Sequence, residues 1–138
     1  MRKYGFSDFF LFALAILTLA CGSSQRLLQS VTLSPATADG QSGPVQFTAT
    51  GHFSQNPSPQ QLSSANWGAC YQNQTTTGVT VSSAGIAQCA EGAVGTYTVW
   101  AWAERGGDSC GSVGTLPFNP CGGAGECQVT GTAQLTCP

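Results

Sequence analysis

Gly95-Thr96-Tyr97-Thr98-Val99-Trp100-Ala101-Trp102-Ala103 is the longest run of the chain that reads as a strand. Tyr97, Val99 and Ala101 fall on one face and Trp100 and Trp102 on the other, as in an extended strand whose successive side chains point to opposite sides of a sheet. The same period of two recurs upstream. Val31 and Leu33 alternate with Thr32 and Ser34 until Pro35, which lacks a ladder donor, ends the run. Val45, Phe47 and Ala49 alternate with Gln46, Thr48 and Thr50, the pattern of a half-buried strand. Leu62 to Ala69 places Ala65, Trp67 and Ala69 on one face. Val79-Thr80-Val81 and Ile86 to Cys89 flank Ser82-Ser83-Ala84-Gly85, a hairpin signal with glycine at its end. Asp39-Gly40, Ser42-Gly43 and Asn56-Pro57-Ser58-Pro59 are turn and loop segments. No amphipathic helical stretch follows the first twenty residues. Short strands with turn signals between them predict an all-β sandwich or barrel. Phe47, Trp67, Tyr97 and Val99 are its expected core, with Trp67 as the central aromatic filling the space between two sheets.

The N-terminus reads as an export signal. Arg2 and Lys3 precede an apolar run from Phe9 to Ala20, too short to span a bilayer, which takes ~20 apolar residues in a helix. Leu17-Thr18-Leu19-Ala20-Cys21 resembles the lipobox of bacterial lipoproteins, although Thr18 stands where leucine is usual. The resemblance implies removal of residues 1–20 and attachment of lipid to Cys21, with residues 21–29 as lipidated cysteine and tether. Gly22 after the cysteine favours the outer membrane if the cell has two. Ordinary cleavage after Ala20 and an uncleaved anchor are the competing readings.

Seven cysteines in 138 residues point the same way, because disulfide-rich chains belong to oxidising compartments. With Cys21 lipidated, Cys70, Cys89, Cys110, Cys121, Cys127 and Cys137 remain, an even set that can pair completely. Neighbour pairing is the working expectation: Cys70 with Cys89, Cys110 with Cys121, Cys127 with Cys137. A structural zinc site is the alternative, but its ligand pairs stand two to four residues apart. Here even Cys121 and Cys127 are more widely spaced, and the lone His52 is far upstream.

The order Val31-Thr-Leu-Ser-Pro35, Gln46-Phe-Thr-Ala-Thr-Gly-His-Phe-Ser54, Ala65-Asn-Trp67, Val79-Thr-Val-Ser-Ser-Ala-Gly-Ile86 and Gly95-Thr-Tyr-Thr-Val-Trp-Ala101 resembles a bacterial Ig-like domain of group 2. The resemblance covers about Ser30 to Ala103 and implies a small immunoglobulin-like β-sandwich over residues 30–103. Proteins of that family serve as spacers, scaffolds or adhesive modules, and no catalytic residues carry over. Two departures stand out: Cys70 and Cys89 within the sandwich, and a cysteine- and glycine-rich extension over residues 104–138. The extension has too little apolar material for a core of its own, so disulfides are expected to hold it on the sandwich. Its last part, Cys127 to Cys137, reads as a hairpin. The family pattern turns Val99 and Ala101 inward, which places Trp100 and Trp102 on the outer sheet. They form either a stacking platform for sugar rings or a partner surface, or a patch that the extension covers.

Charge and motifs exclude several classes. After Cys21 only Arg26 and Arg105 face Asp39, Glu91, Glu104, Asp108 and Glu126, so no basic patch exists to neutralise phosphates and nucleic acid is not an expected partner. Gly107-Asp108-Ser109 echoes the nucleophile motif of trypsin-like proteases, but the following residues and the scaffold are absent. His52 is expected in an exposed loop. Neither a metal nor a cofactor is expected. The sequence therefore predicts a non-catalytic module anchored by lipid on Cys21, touching an envelope or surface protein, or a polysaccharide.

Overall fold

The structure, a computed structural model, describes residues 24–110, 120–123 and 125–138. The expected signal segment and the Cys21 lipidation site lie outside these residues. The strands are, in order, β1 (Leu28–Ser34), β2 (Thr37–Asp39), β3 (Val45–Gln46), β4 (Thr48–Phe53), β5 (Gln60–Gln61) and β6 (Asn66–Tyr71). They continue with β7 (Gln74–Thr75), β8 (Val79–Val81), β9 (Ile86–Cys89), β10 (Gly95–Glu104) and β11 (Gln128–Cys137).

Two layers result. One is the five-stranded sheet β2-β11-β10-β6-β7. The other combines β1-β4-β5 with β3-β9-β8, because β3 and β4 are one run of chain interrupted only at Phe47. The Phe47 N–H donates across to the Gly85 carbonyl at 2.8 Å, so the seam between the two parts stays bonded. The chain changes layers at Pro35-Ala36: β1 pairs with β4, whereas β2 pairs parallel to β11. In immunoglobulin lettering the layers are ABED and A′GFCC′, with β1, β3/β4, β9 and β8 facing β2, β11, β10, β6 and β7. The fold is an all-β, immunoglobulin-like sandwich.

Its core comes from alternation on both inner faces. In β10, Tyr97, Val99 and Ala101 are buried and lie opposite Leu135, Ala133 and Gly131 of β11. Leu28, Val31 and Leu33 of β1, Ala49 of β4, Val79 of β8 and Ala87 of β9 close the other side. The layers approach closely where β1 crosses β11. A Cβ at Gly131 would stand 2.5 Å from the Val31 carbonyl oxygen, so only glycine admits this contact.

Three expectations are corrected here. The central aromatic is Phe47, which is fully buried; Trp67 is half-buried at the rim, its indole reaching toward Gly85 of the β8–β9 hairpin. A ring that large is seldom enclosed completely in a small domain. His52 is not in a loop but half-buried within β4, opposite Ser30. The third correction concerns the boundary at residue 103. Residues 128–137 are not a hairpin packed on the sandwich. They form β11, a single strand bonded along its length to β10 from Gly95↔Cys137 to Glu104↔Gln128. Residues between β10 and β11 are therefore an enlarged F–G connection and not a terminal appendage.

A chain ending at Ala103 should accordingly fail to fold, since it strips β10 of one neighbour and uncovers Val31 and Leu33. Urea titration followed by tryptophan fluorescence should show no cooperative transition for that truncation and a single one for the full domain.

Candidate functional site

The features beyond a plain sandwich gather at the end where β4, β10 and β11 meet their loops, and on the outer face of the five-stranded sheet. On that face the register sets Trp100 between Gly68 and Thr132, Trp102 between Asn66 and Thr130, and Thr98 beside Cys70. Trp100 lies over Gly68, where an added Cβ would come within 2.2 Å of the indole. The glycine opposite a large ring makes room for that ring to lie flat on the sheet. Trp100 and Trp102 are both half-buried. The indole nitrogen of Trp100 and the hydroxyl of Thr130 are shielded from solvent without a hydrogen-bond partner among the described residues. Such an unpaired polar atom costs ~1–3 kcal/mol, so the burial here is imposed by the surrounding structure.

The disulfides identify part of that structure. Cys70 bonds Cys121 with a Cα separation of 5.7 Å, and Cys70 belongs to the same outer face as the tryptophans, two residues along β6 from Gly68. Cys121, in the last third of the F–G connection, is thus pinned onto this face. Cys110 bonds Cys127, 17 residues apart, and closes the same connection on itself. Cys89 bonds Cys137 and joins β9 of one layer to β11 of the other. Neighbour pairing is therefore corrected at all three bonds. Partners are chosen by which strands face or adjoin one another in space, and β11 is carried back across the molecule by its pairing with β10. In the chain-entropy account the two long loops, 51 and 48 residues, contribute ~4 kcal/mol each and the short one ~3 kcal/mol. Three such bonds fit an oxidising, exported setting.

A feature that the sequence concealed lies at the same end. Ser24 to Leu27, which read as tether, are bonded to the loop between β4 and β5 and to the start of the F–G connection. Gln55 donates to the Ser24 carbonyl at 2.5 Å, Leu27 N–H to Ser54 Oγ at 2.9 Å, and Ser54 N–H to the Leu27 carbonyl at 2.8 Å. The Arg26 guanidinium lies 3.5 Å from the Phe53 ring centroid and donates to the Pro57 carbonyl and to Gln60 Oε1. Gln25 Oε1 accepts from Asp108 N–H at 2.9 Å. A polar run such as Ser24-Gln25-Arg26 carries no periodic signal, and its partners are side chains and backbone groups of loops distant in sequence.

Elsewhere the chemistry is sparse. His52 Nε2 lies 3.3 Å from Thr32 Oγ1, and no acidic group is bonded to it among the described residues. No group of three or more His, Cys, Asp or Glu side chains converges as a metal site among the described residues. No helix among them is long and apolar enough to cross a membrane. No protein-family model matches the chain, and none of the curated proteins matches it significantly.

Gly68→Ala should push the Trp100 indole off the sheet at a cost of ~1–3 kcal/mol. Its emission should shift to the red and acrylamide quenching should rise relative to the parent. Peptide mapping of the unreduced protein should recover Cys70–Cys121, Cys89–Cys137 and Cys110–Cys127.

Proposed function

We propose that the protein is a non-catalytic, lipid-anchored Ig-like module of the bacterial cell envelope, structural or adhesive in role and working through protein contacts. The observation that carries this reading is the combination of an ABED/A′GFCC′ sandwich with a terminal segment docked at one end, directly after the lipobox-like Leu17 to Cys21. The resemblance to bacterial Ig-like domains of group 2 implies a small immunoglobulin-like sandwich used as spacer, scaffold or adhesive module. The disulfides and the enlarged F–G connection would then be this chain's own elaborations.

The low charge supports contact through neutral polar and apolar groups rather than through long-range fields. The three disulfides support a rigid body that stays folded outside the cytoplasm. The half-buried state of both outer tryptophans, with the indole nitrogen of Trp100 enclosed, favours a structural part for the pair over an open platform for polysaccharide, since stacking on a sugar needs an exposed ring face.

The anchoring part of the reading is tested by metabolic labelling with a tritiated fatty acid and phase partition in a detergent that clouds on warming. The parent should take up label and enter the detergent phase. Cys21→Ser should lose both properties, while Cys110→Ser should keep them. Label retained by Cys21→Ser would remove the lipid anchor from the account.

A further inference from the structure

The docked segment, taken with the proposed lipid on Cys21, fixes more than attachment. We infer that the sandwich is mounted on the bilayer by the end carrying the β4–β5 loop and Gly106–Asp108, the start of the F–G connection. That end faces the lipid surface, and the opposite end, with the Ala90–Val94 turn and Pro138, points away. This rests on the lipid-anchor reading and adds an orientation to it.

The argument is one of chain length. Only three peptide links separate Cys21 from Ser24, and three residues reach at most ~11 Å when fully extended. From Ser24 onward the chain has no slack. The Ser24 carbonyl is held by Gln55, and the Gln25 carbonyl accepts from Ser54 Oγ at 3.3 Å. Arg26 is clamped to Phe53, Gln55, Pro57 and Gln60. At Leu28 the N–H donates to the Arg105 carbonyl at 2.8 Å, and β1 begins. These bonds join the N-terminal segment to both loops of this end at once. A lipid on Cys21 must therefore draw Ser54–Pro59 and Gly106–Asp108 to within about a dozen ångströms of the headgroups.

The other end is out of reach. β10 runs ten residues from the distal Gly95 to the proximal Glu104, which at strand rise is ~30 Å. Beside Gly95 stands Val94, 64% exposed and the most exposed large apolar side chain among the described residues. A free tether of seven residues, from Cys21 to Leu28, would let the domain swing ~25 Å from the surface. The docked one makes it a mount, in which the β4–β5 loop and Gly106–Asp108 meet what lies in or beside the membrane, while Cys121, bonded to Cys70 beside Thr98, stands farther up the outer sheet face. Partners beyond the envelope meet the Val94 end.

The test uses the lipidated full chain in phosphatidylcholine–phosphatidylglycerol vesicles containing a headgroup spin-labelled phosphatidylcholine. One azide-bearing residue replaces exposed Asn56 or, in a separate protein, Val94, and carries a nitrobenzoxadiazole fluorophore. Because spin-label quenching is short-ranged, Asn56 fluorescence should fall by more than about half and Val94 fluorescence by less than about a tenth. Undocking the segment with Arg26→Ala, Ser54→Ala and Gln55→Ala removes the side chains that hold Ser24, Gln25 and Leu27, lengthens the free run and should reduce the Asn56 loss by about half. Equal losses at both sites in protein that floats with the vesicles would overturn the orientation while leaving the anchor intact. The same holds if the triple variant leaves the Asn56 loss unchanged. Failure of the protein to float would remove the anchor and the orientation together.

Discussion

The ten-residue ladder between Gly95–Glu104 and Gln128–Cys137 is the constraint on which the rest of the molecule depends. β10 alone alternates well but would have β6 as its only neighbour in the sheet. Once β11 joins it, the five-stranded sheet gains the strand that also carries β2, and β1 finds the Gly131 position against which it packs. Cys137 then stands opposite Cys89 and ties the layers, and Cys127 is returned to the vicinity of Cys110. Both the closure of the core and the clasp on the F–G connection follow from one pairing. The contacts within that pairing are largely of small residues. Gly131 and Ala133 of β11 meet Ala101 and Val99 of β10, which brings the backbones of the two layers close and leaves cross-links to contribute what larger side chains would in a bigger core.

Much of this was legible in the alternation. β10, the Val45 to Ala49 run and the Ser82 to Gly85 hairpin are each written in a period of two with turn residues at the ends, and each forms where expected. β11 is written in the same period, yet its inward residues are Val129, Gly131, Ala133, Leu135 and Cys137. Glycine flanked by threonines at the centre of such a run reads locally as a turn. Its real reason is the Val31 carbonyl 2.5 Å from where a Cβ would sit, a tertiary fact that no local window contains. The cysteine pairing was illegible for the same cause. Cys89 and Cys137 are brought together by two layers packing, and Cys70 and Cys121 by a loop crossing a sheet face.

The site shows the same division. The placement of Trp100 and Trp102 on the face opposite Val99 and Ala101 could be read from the sequence. Gly68, the residue that lets Trp100 lie flat, could not, because its significance depends on a cross-strand register between distant segments. Ring size argues for Trp67 at the centre of the core, whereas the centre is filled by Phe47 at the seam between β3 and β4. The docked Ser24 to Leu27 segment was invisible because hydrogen bonds to loops distant in sequence leave no compositional trace. It nevertheless makes Ser24 to Leu27 a fixed part of the body, beside the clasped connection.

The claim that Gln128–Cys137 is an integral strand of the sandwich is tested most directly by amide hydrogen exchange on the oxidised domain, read residue by residue by NMR. Slow exchange reports amides that open only with the whole fold. Amides of β11 that bond to β10 should be protected to the same degree as their β10 partners between Tyr97 and Ala101, all exchanging with one free energy of opening. Exchange of the 128–137 amides within seconds, beside a protected β10, would show that the tail is an appendage and contradict the account.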